Sequence, residues 1–320
     1  MDNIEHLVEI LTSSYGKRSG LFGNPETDSF RIFNSDGDGI HGLVIDLYSE
    51  FLLVQFFDGG LYLNRELILP QIFSSVQPIA SNLRGMLVKD RSMNSSADPG
   101  DRWKSVLYSG EMPPAEYIVR QNGVSASVDL IGGQNTGLFL DMREARSTLV
   151  KYYRPGMRML NLFCHTAIFS VHALVNGIGT AVNIDLSKSA LERAKTNYSI
   201  NGLEYSERDF ICGDAYEWLV YCKKKGILFD MVIFDPPTFS RSKKGHFSVS
   251  RDFRKYLRKI SEVVPSGFLF SSMNSKSMPW KKYGSMHGDS WDPVVRMDEP
   301  CDFTGGVDVP KAGLWARRQK

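Results

Sequence analysis

The chain has 320 residues, of which 42% are hydrophobic and 23% charged, with a net charge of +2. This is the composition of a soluble globular protein, long enough for one large or two ordinary domains. No apolar run reaches transmembrane length, the first ten residues are polar rather than signal-like, and the four cysteines are scattered without metal or disulfide spacing. No metal and no membrane are therefore expected, and a reducing cytoplasm is the expected compartment.

Taken in order, residues 2–15 carry Ile4, Leu7, Val8 and Leu11 on one helical face. Residues 30–34, 43–47 and 51–57 read as short strands between Asp/Gly turns, 61–73 as an amphipathic helix and 79–89 as a returning strand. Residues 92–101 are rich in Ser, Asn, Asp, Pro and Gly and read as an exposed loop. Residues 117–120 and 124–130 form a hairpin around Gln121-Asn122-Gly123. A glycine-rich loop follows and enters a helix over 141–153, stopped by Pro155-Gly156.

From there strands and helices alternate. Strands are expected at 158–163, 180–185, 210–213, 230–234 and 267–272, and helices at 166–176, 187–201, 215–224 and 250–264. The segment after Trp280 is left open. Such alternation argues for an α/β domain with a doubly wound, mostly parallel sheet, whose right-handed crossovers bring the strand ends to one edge. The expected boundary separates a small α+β domain, residues 1–112, from residues 113–320.

Polar features fall at successive strand ends: the 161–167 loop, then Asp185, then Gly213-Asp214, then Asp235 followed by Pro236 and Pro237. Ligands of open α/β sheets bind at this edge. An acid ending the second strand suits a ribose diol, and one after the third suits an adenine amino group. The first loop lacks Gly-x-Gly-x-x-Gly, which disfavours a pyrophosphate and favours a nucleoside cofactor such as S-adenosylmethionine. Charge is also uneven. Residues 241–259 hold eight basic side chains against Asp252 alone, directly after the proline turn, which hints at a polyanionic substrate.

Three stretches carry a resemblance. Phe30-Arg31-Ile32-Phe33-Asn34 precedes Gly37-Asp38-Gly39-Ile40-His41-Gly42-Leu43-Val44-Ile45-Asp46. The glycine-rich loop reads Gly132-Gly133-Gln134-Asn135-Thr136-Gly137-Leu138-Phe139-Leu140-Asp141-Met142-Arg143, and the turn Asp235-Pro236-Pro237-Thr238-Phe239. Over nearly its whole length the chain resembles the RlmI/RlmK-type 23S ribosomal RNA methyltransferases, class I enzymes that use S-adenosylmethionine and release S-adenosylhomocysteine. The resemblance implies a Rossmann-like domain with a mostly parallel seven-stranded sheet behind the small α+β domain. It implies that Thr136, Phe139, Asp141 and Arg143 lie over the cofactor, that Asn161 and Phe163 belong to the cofactor loop, and that Asp185 and Asp214 bind ribose and adenine. Asp235, Pro236, Pro237 and Phe239 would face the methyl group and the target base.

The chain departs from this family in three places. The cofactor loop carries Thr166-Ala167-Ile168 where a Thr-Gly-Gly-type turn is usual, and β-branched Ile168 resists a positive φ, so another loop path and weaker cofactor binding are expected. Residues 1–29 are too short for the amino-terminal PUA domain of RlmI-like members. RNA contact is then expected from the small domain, the basic helix and residues 280–282. Finally, the Ser-Cys-Ser-type motif that supplies a thiolate for cytosine C5 transfer reads Ser271-Ser272-Met273-Asn274-Ser275 here. The expected activity is methylation of a large-subunit ribosomal RNA base, guanine nitrogen favoured. The alternatives are cytosine C5 transfer, or an RNA-binding assembly factor with impaired turnover. The expected partner is ribosomal RNA, and the expected state a monomer or homodimer.

Overall fold

A computed structural model describes residues 2–92, 103–242, 245–274, 278–305 and 311–319. The chain divides into two compact units, Met1–Arg143 with Glu299–Val307, and Glu144–Asp298 with Asp308–Lys320. This division lies beyond the expected boundary at residue 112, because the hairpin and the glycine-rich loop pack with the preceding strands.

The first unit holds α1 (Asp2–Lys17), β1 (Ser29–Asn34), β2 (Leu43–Tyr48), β3 (Phe51–Phe56), α2 (Gly59–Leu63), α3 (Arg65–Val76), β4 (Gly85–Asp90), β5 (Val106–Gly110), β6 (Tyr117–Gln121) and β7 (Val124–Val128). Its five-stranded sheet runs β1-β2-β3-β4-β5 and is antiparallel except between β3 and β4. A core of Leu11, Phe30, Ile32, Ile45, Val54, Leu69, Ile72 and Met86 lies within the unit. The single helix expected over 61–73 is two, since Asp58 caps α2 by accepting from the Leu61 amide and α3 starts afresh after Asn64. The strand expected over 79–89 shortens to β4, and β5 was not expected, because its Val-Leu-Tyr-Ser-Gly run is too short to separate from a loop. The β6–β7 hairpin has Asn122 and Gly123 both at positive φ, 51° and 75°, as a two-residue primed turn requires. The loop expected at 92–101 lies almost wholly outside the described residues.

The second unit holds α4 (Arg143–Leu149, its first residue belonging to the first unit), β8 (Arg158–Leu162), α5 (Ile168–Val175), β9 (Thr180–Asp185), α6 (Lys188–Ile200), β10 (Phe210–Cys212), α7 (Ala215–Lys225) and β11 (Met231–Phe234). It continues through β12 (Phe239–Ser242), β13 (Gly245–Ser248), α8 (Val249–Val263), β14 (Phe268–Met273), α9 (Trp280–Ser285), β15 (Trp291–Arg296) and β16 (Lys311–Arg317). The helix expected over 141–153 is confined to α4, with single 3-10 turns before and after it.

The sheet is seven-stranded in the order β10-β9-β8-β11-β14-β16-β15. Its strands are parallel except β16, which runs against both β14 and β15. The chain winds outward from β8 through β9 to β10, then returns to β11 on the other side. The switch point therefore lies between β8 and β11, where a doubly wound sheet opens a crevice at its carboxyl edge. Leu160, Leu162, Ile184, Val232, Phe234 and Leu269 are buried on the sheet, with Leu219, Phe253, Tyr256 and Ile260 from the helices in the same core. Phe234 stacks on Tyr256 at 5.2 Å and leans on Phe253 at 5.1 Å, which fixes α8 against the end of β11. Such aromatic pairs contribute about 1 kcal/mol each beyond area burial. Among the described residues no helix is long and apolar enough to cross a membrane.

Candidate active site

Four strand ends meet at the carboxyl edge of the second unit's sheet. After β8 the chain turns through Phe163, His165 and Ala167, each with left-handed φ, 56°, 50° and 57°. For residues with a Cβ this costs on the order of 1 kcal/mol each. The loop is held by partners on three sides. The His165 amide donates to Asp185 Oδ2 at 2.8 Å, Asn197 Nδ2 donates to the Thr166 carbonyl at 2.9 Å, and the Ala167 amide to the Cys164 carbonyl at 2.7 Å. Ile168 is the first residue of α5, so the strain expected at Ile168 falls on Ala167 instead, where a single methyl tolerates it. Burial pushes the Cys164 thiol well above its usual range, with Asp185 adding to it, and the thiol is protonated. Burial also holds the His165 imidazole below its usual value against the opposing pull of Asp185.

The two strand-end acids are partly exposed and each organises its own neighbourhood. Asp185 accepts the His165 amide through Oδ2 and the Ser187 amide through Oδ1, both at 2.8 Å. Asp214 caps α7, accepting the Tyr216 and Glu217 amides through Oδ1 at 2.9 and 3.1 Å. Among the described residues Asp214 Oδ2 accepts no hydrogen bond, so one carboxylate oxygen stays available. These residues fit a nucleoside. Two adjacent carboxylates can accept from a ribose diol and an adenine amino group, and the strained loop brings backbone to the same edge.

Asn161 sits deeper. It is buried on β8 and donates to Ser170 Oγ at 2.9 Å, Ser170 donates to Asn183 Oδ1 at 2.7 Å, and Asn183 donates to the Tyr198 hydroxyl at 2.8 Å. This satisfied chain ties α5 and α6 to β8 and β9 beneath the loop. Phe163 packs at 5.7 Å from Tyr256 and 6.1 Å from Phe234.

At the end of β11, Asp235 accepts a hydrogen bond from the Ser272 hydroxyl of neighbouring β14. Ser272 is buried, and the parallel register sets Phe234 opposite Ser271, so Ser272 falls beside Asp235. Pro236 is buried, Pro237 and Thr238 are exposed, and Phe239 is 73% exposed at the start of a β12–β13 hairpin that the sequence did not reveal. Sequence reading also missed the Ser272 contact. On the opposite side of β14, Ser271 Oγ lies 2.8 Å from His287 Nε2 and 2.6 Å from the Tyr283 hydroxyl, and accepts from Trp315 Nε1 at 3.0 Å. Burial lowers His287 to about 4, so the ring is neutral, and Nδ1 faces the Tyr283 carbonyl at 3.1 Å. Met273, in the stretch set against the Ser-Cys-Ser-type motif, is fully buried in the core, and β14 holds no cysteine.

The other four expected site residues belong to the first unit. Thr136 is buried with its hydroxyl 3.0 Å from that of Tyr48, and Phe139 is 45% exposed. Asp141 precedes Met142 in a single 3-10 turn. Arg143 is buried and donates through both terminal nitrogens to Asp302, at 2.9 and 2.7 Å. The Lys89 ammonium donates to the Gly133 carbonyl at 3.1 Å, so the glycine-rich loop is anchored at both ends. Among the described residues no group of three or more His, Cys, Asp or Glu could hold a metal ion.

Comparison with known proteins agrees with this fold. Residues 44–318 match the S-adenosylmethionine-dependent methyltransferase family. The chain is 32% identical to YwbD of Bacillus subtilis over 85% of its length and 67% of that protein. It is 32% identical to ribosomal RNA large subunit methyltransferase I of Aeromonas hydrophila over 84% of its length and 66% of that protein. It thus spans about two thirds of the length of the curated relatives it matches. The crystal structure of SMU.776 complexed with SAH superimposes with a TM-score of 0.87 at 26% identity, covering 98% of this chain and 81% of that one. With a family match across most of its length, the 3-2-1-4-5-7-6 strand order and acids at successive strand ends, the chain belongs to the S-adenosylmethionine-dependent methyltransferase family.

Proposed function

We propose that this protein methylates a base of large-subunit ribosomal RNA, with a guanine nitrogen as the acceptor. The observation that carries this reading is the Asp235 carboxylate, held by Ser272 at the end of β11 four residues before the exposed Phe239, with no cysteine on β14 to act as a nucleophile. The names of relatives such as the Aeromonas hydrophila enzyme support ribosomal RNA as the substrate.

In this reading S-adenosylmethionine, when bound, supplies an electrophilic methyl group on a sulfonium. Asp185 and Asp214 hold the nucleoside through its ribose and adenine. Thr136, Phe139, Asp141 and Arg143 are proposed as cofactor residues on the resemblance alone. Phe163 packs at the loop, and Asn161 supports the loop from below. Pro236 and Pro237 stiffen the turn that presents Asp235. Phe239 would stack on the extruded base, and Asp235 would accept one of its N–H groups, holding the ring with its acceptor nitrogen towards the methyl donor. The bound cofactor would give up its methyl group to the base nitrogen, the S–C electron pair staying with sulfur as the N–C bond forms. A ring nitrogen with a free lone pair loses no proton in this step, and an exocyclic amine would pass its proton to Asp235.

The test is incubation of large-subunit ribosomal RNA lacking modifications with the protein and methyl-labelled cofactor, followed by nucleoside mass spectrometry. Labelled methylguanosine is expected. Labelled 5-methylcytidine, together with a stable adduct on 5-fluorocytosine RNA, would instead establish the covalent C5 route. Cofactor binding with no label in any nucleoside would leave an RNA-binding factor.

A further inference from the structure

Helix α8 has two distinct faces. Phe253, Tyr256, Leu257 and Ile260 are buried, while Arg251, Arg254, Lys255 and Arg258 are exposed at the i, i+3, i+4, i+7 spacing of a single stripe. Neutralisation along it is partial. Arg251 pairs with Asp252 at 2.8 Å, Lys255 lies 3.9 Å over the Tyr216 ring of α7, and Lys259 pairs with Glu262 at 3.0 Å. Among the described residues, Arg254 and Arg258 make no ion pair and no side-chain hydrogen bond. The neighbouring helix extends the charge. Lys224 and Lys225 are exposed in the last turn of α7 and make no ion pair among the described residues, beside Lys223, which bridges to Glu262 at 2.9 Å.

The position of the stripe is as informative as its charge. The first amide of α8, at Val249, donates to the Thr238 carbonyl at 3.1 Å, three residues beyond Asp235. The helix therefore starts at the catalytic edge and runs away from it. From Arg251 to Arg258 the stripe spans about 10 Å at 1.5 Å per residue. Unpaired cations held on a rigid helix are costly in self-repulsion unless an anion completes them. A chain with regularly spaced charges, one end of which enters the site, is the partner that fits.

We propose that the α8 stripe, continued by Lys224 and Lys225, is a docking track for the RNA phosphate backbone that flanks the target base. The proposal rests on the RNA reading above and adds where the strand runs. Such contacts fix register on the enzyme without reading sequence.

The test uses a fluorescein-labelled single-stranded fragment of large-subunit ribosomal RNA, with anisotropy titrations over a range of salt concentrations. Wild type is compared with the Arg254→Gln/Arg258→Gln double variant and with Lys151→Gln/Arg208→Gln, two exposed cations of the same unit outside the stripe. Calorimetry with S-adenosylhomocysteine verifies that all three bind the nucleoside equally. Two lost phosphate contacts should reduce the magnitude of the log K against log salt slope by about 1.4, at about 0.7 per single-strand contact. Affinity at low salt should fall at least tenfold, with no change in the Lys151/Arg208 control. If wild type binds RNA and the stripe variant keeps its slope and affinity, or the control loses as much, the track is wrong while the RNA reading stands. Wild type that binds the nucleoside but no RNA overturns both. Equal displacement of the RNA by an acidic polypeptide at matched charge would overturn the assignment of the track to nucleic acid.

Discussion

Asp235 is placed by its neighbours more than by its own turn. It ends a strand between two parallel partners, and one partner supplies the Ser272 hydroxyl from a fully enclosed position. Hydrogen bonds to charged groups contribute about 1.5–3 kcal/mol, and under the proposed function losing this one would loosen the carboxylate's hold on the base. Ser272→Ala should therefore lower kcat about tenfold or more while leaving KM for the cofactor unchanged, and Ser272→Thr should recover most of the loss. Single-turnover kinetics on RNA, with calorimetry on S-adenosylhomocysteine, separates this from a folding defect, which would weaken both. The cluster behind β14 makes a second prediction at the same scale. His287 is neutral with a value of about 4, and His172, also buried, is lowered by burial and Arg146 to about 4. The unfolded chain takes up these protons near pH 6.5 and the folded chain does not, so this stability is present above about pH 6.5 and is lost as pH falls towards 4. At 1.36 kcal/mol per pKa unit each histidine contributes about 3 kcal/mol over that window. Urea unfolding followed from pH 7 to 4.5 should show the loss, and an NMR titration of His287 with an ordinary midpoint near 6.5 would refute it.

At the scale of elements, the sheet edge is legible because alternation of strands and helices forces it. Asp185, Asp214 and Asp235 stand at the ends of β9, β10 and β11, as the pattern of the chain requires. What the pattern hides is contact across strands. Nothing local to Ser272 marks it as a partner of a residue 37 positions earlier. The β12–β13 hairpin escaped because its strands are four residues each and rich in Ser and basic residues rather than alternating apolar ones. In the loop after β8 the strain sits one residue before the position the sequence suggests. The left-handed φ falls on Ala167, with Asp185 and Asn197 holding the turn closed. Ala167→Gly removes a left-handed penalty of about 1–2 kcal/mol and adds a chain-entropy cost of about 0.5–1 kcal/mol. The net stabilisation, about 0.5 kcal/mol, should raise Tm by about 1–2 °C in scanning calorimetry. A drop in Tm would mean that the alanine methyl, fully buried, packs more than it strains.

At the scale of the whole molecule, the first unit is completed by a segment from far along the chain. The connection between β15 and β16 contributes Glu299–Val307 to that unit, and Asp302 is its centre. Asp302 is fully buried, accepts both terminal nitrogens of Arg143 and the Arg31 amide, and offers its carbonyl to Arg18 at 2.9 Å. Arg18 is itself paired with Asp38 at 2.6 Å, and Arg31 lies over the Phe303 ring at 4.3 Å. No sequence pattern joins residues 159 positions apart, so the buried Arg143–Asp302 ion pair leaves no trace in the sequence. Removing one partner of a buried pair costs about 3–5 kcal/mol, because the remaining charge stays desolvated without compensation. Asp302→Ala should thus lower the unfolding free energy of the first unit by about that amount, and Asp302→Asn by less, since the amide oxygen still accepts. Hydrogen exchange resolves the effect by region. Amides of β1, β2 and β3 should exchange faster in Asp302→Ala, while those of β8, β9 and β11 keep their protection. Uniform loss across both sets would show that the two units unfold as one, and that the clamp on Arg143 supports the methyltransferase sheet as well.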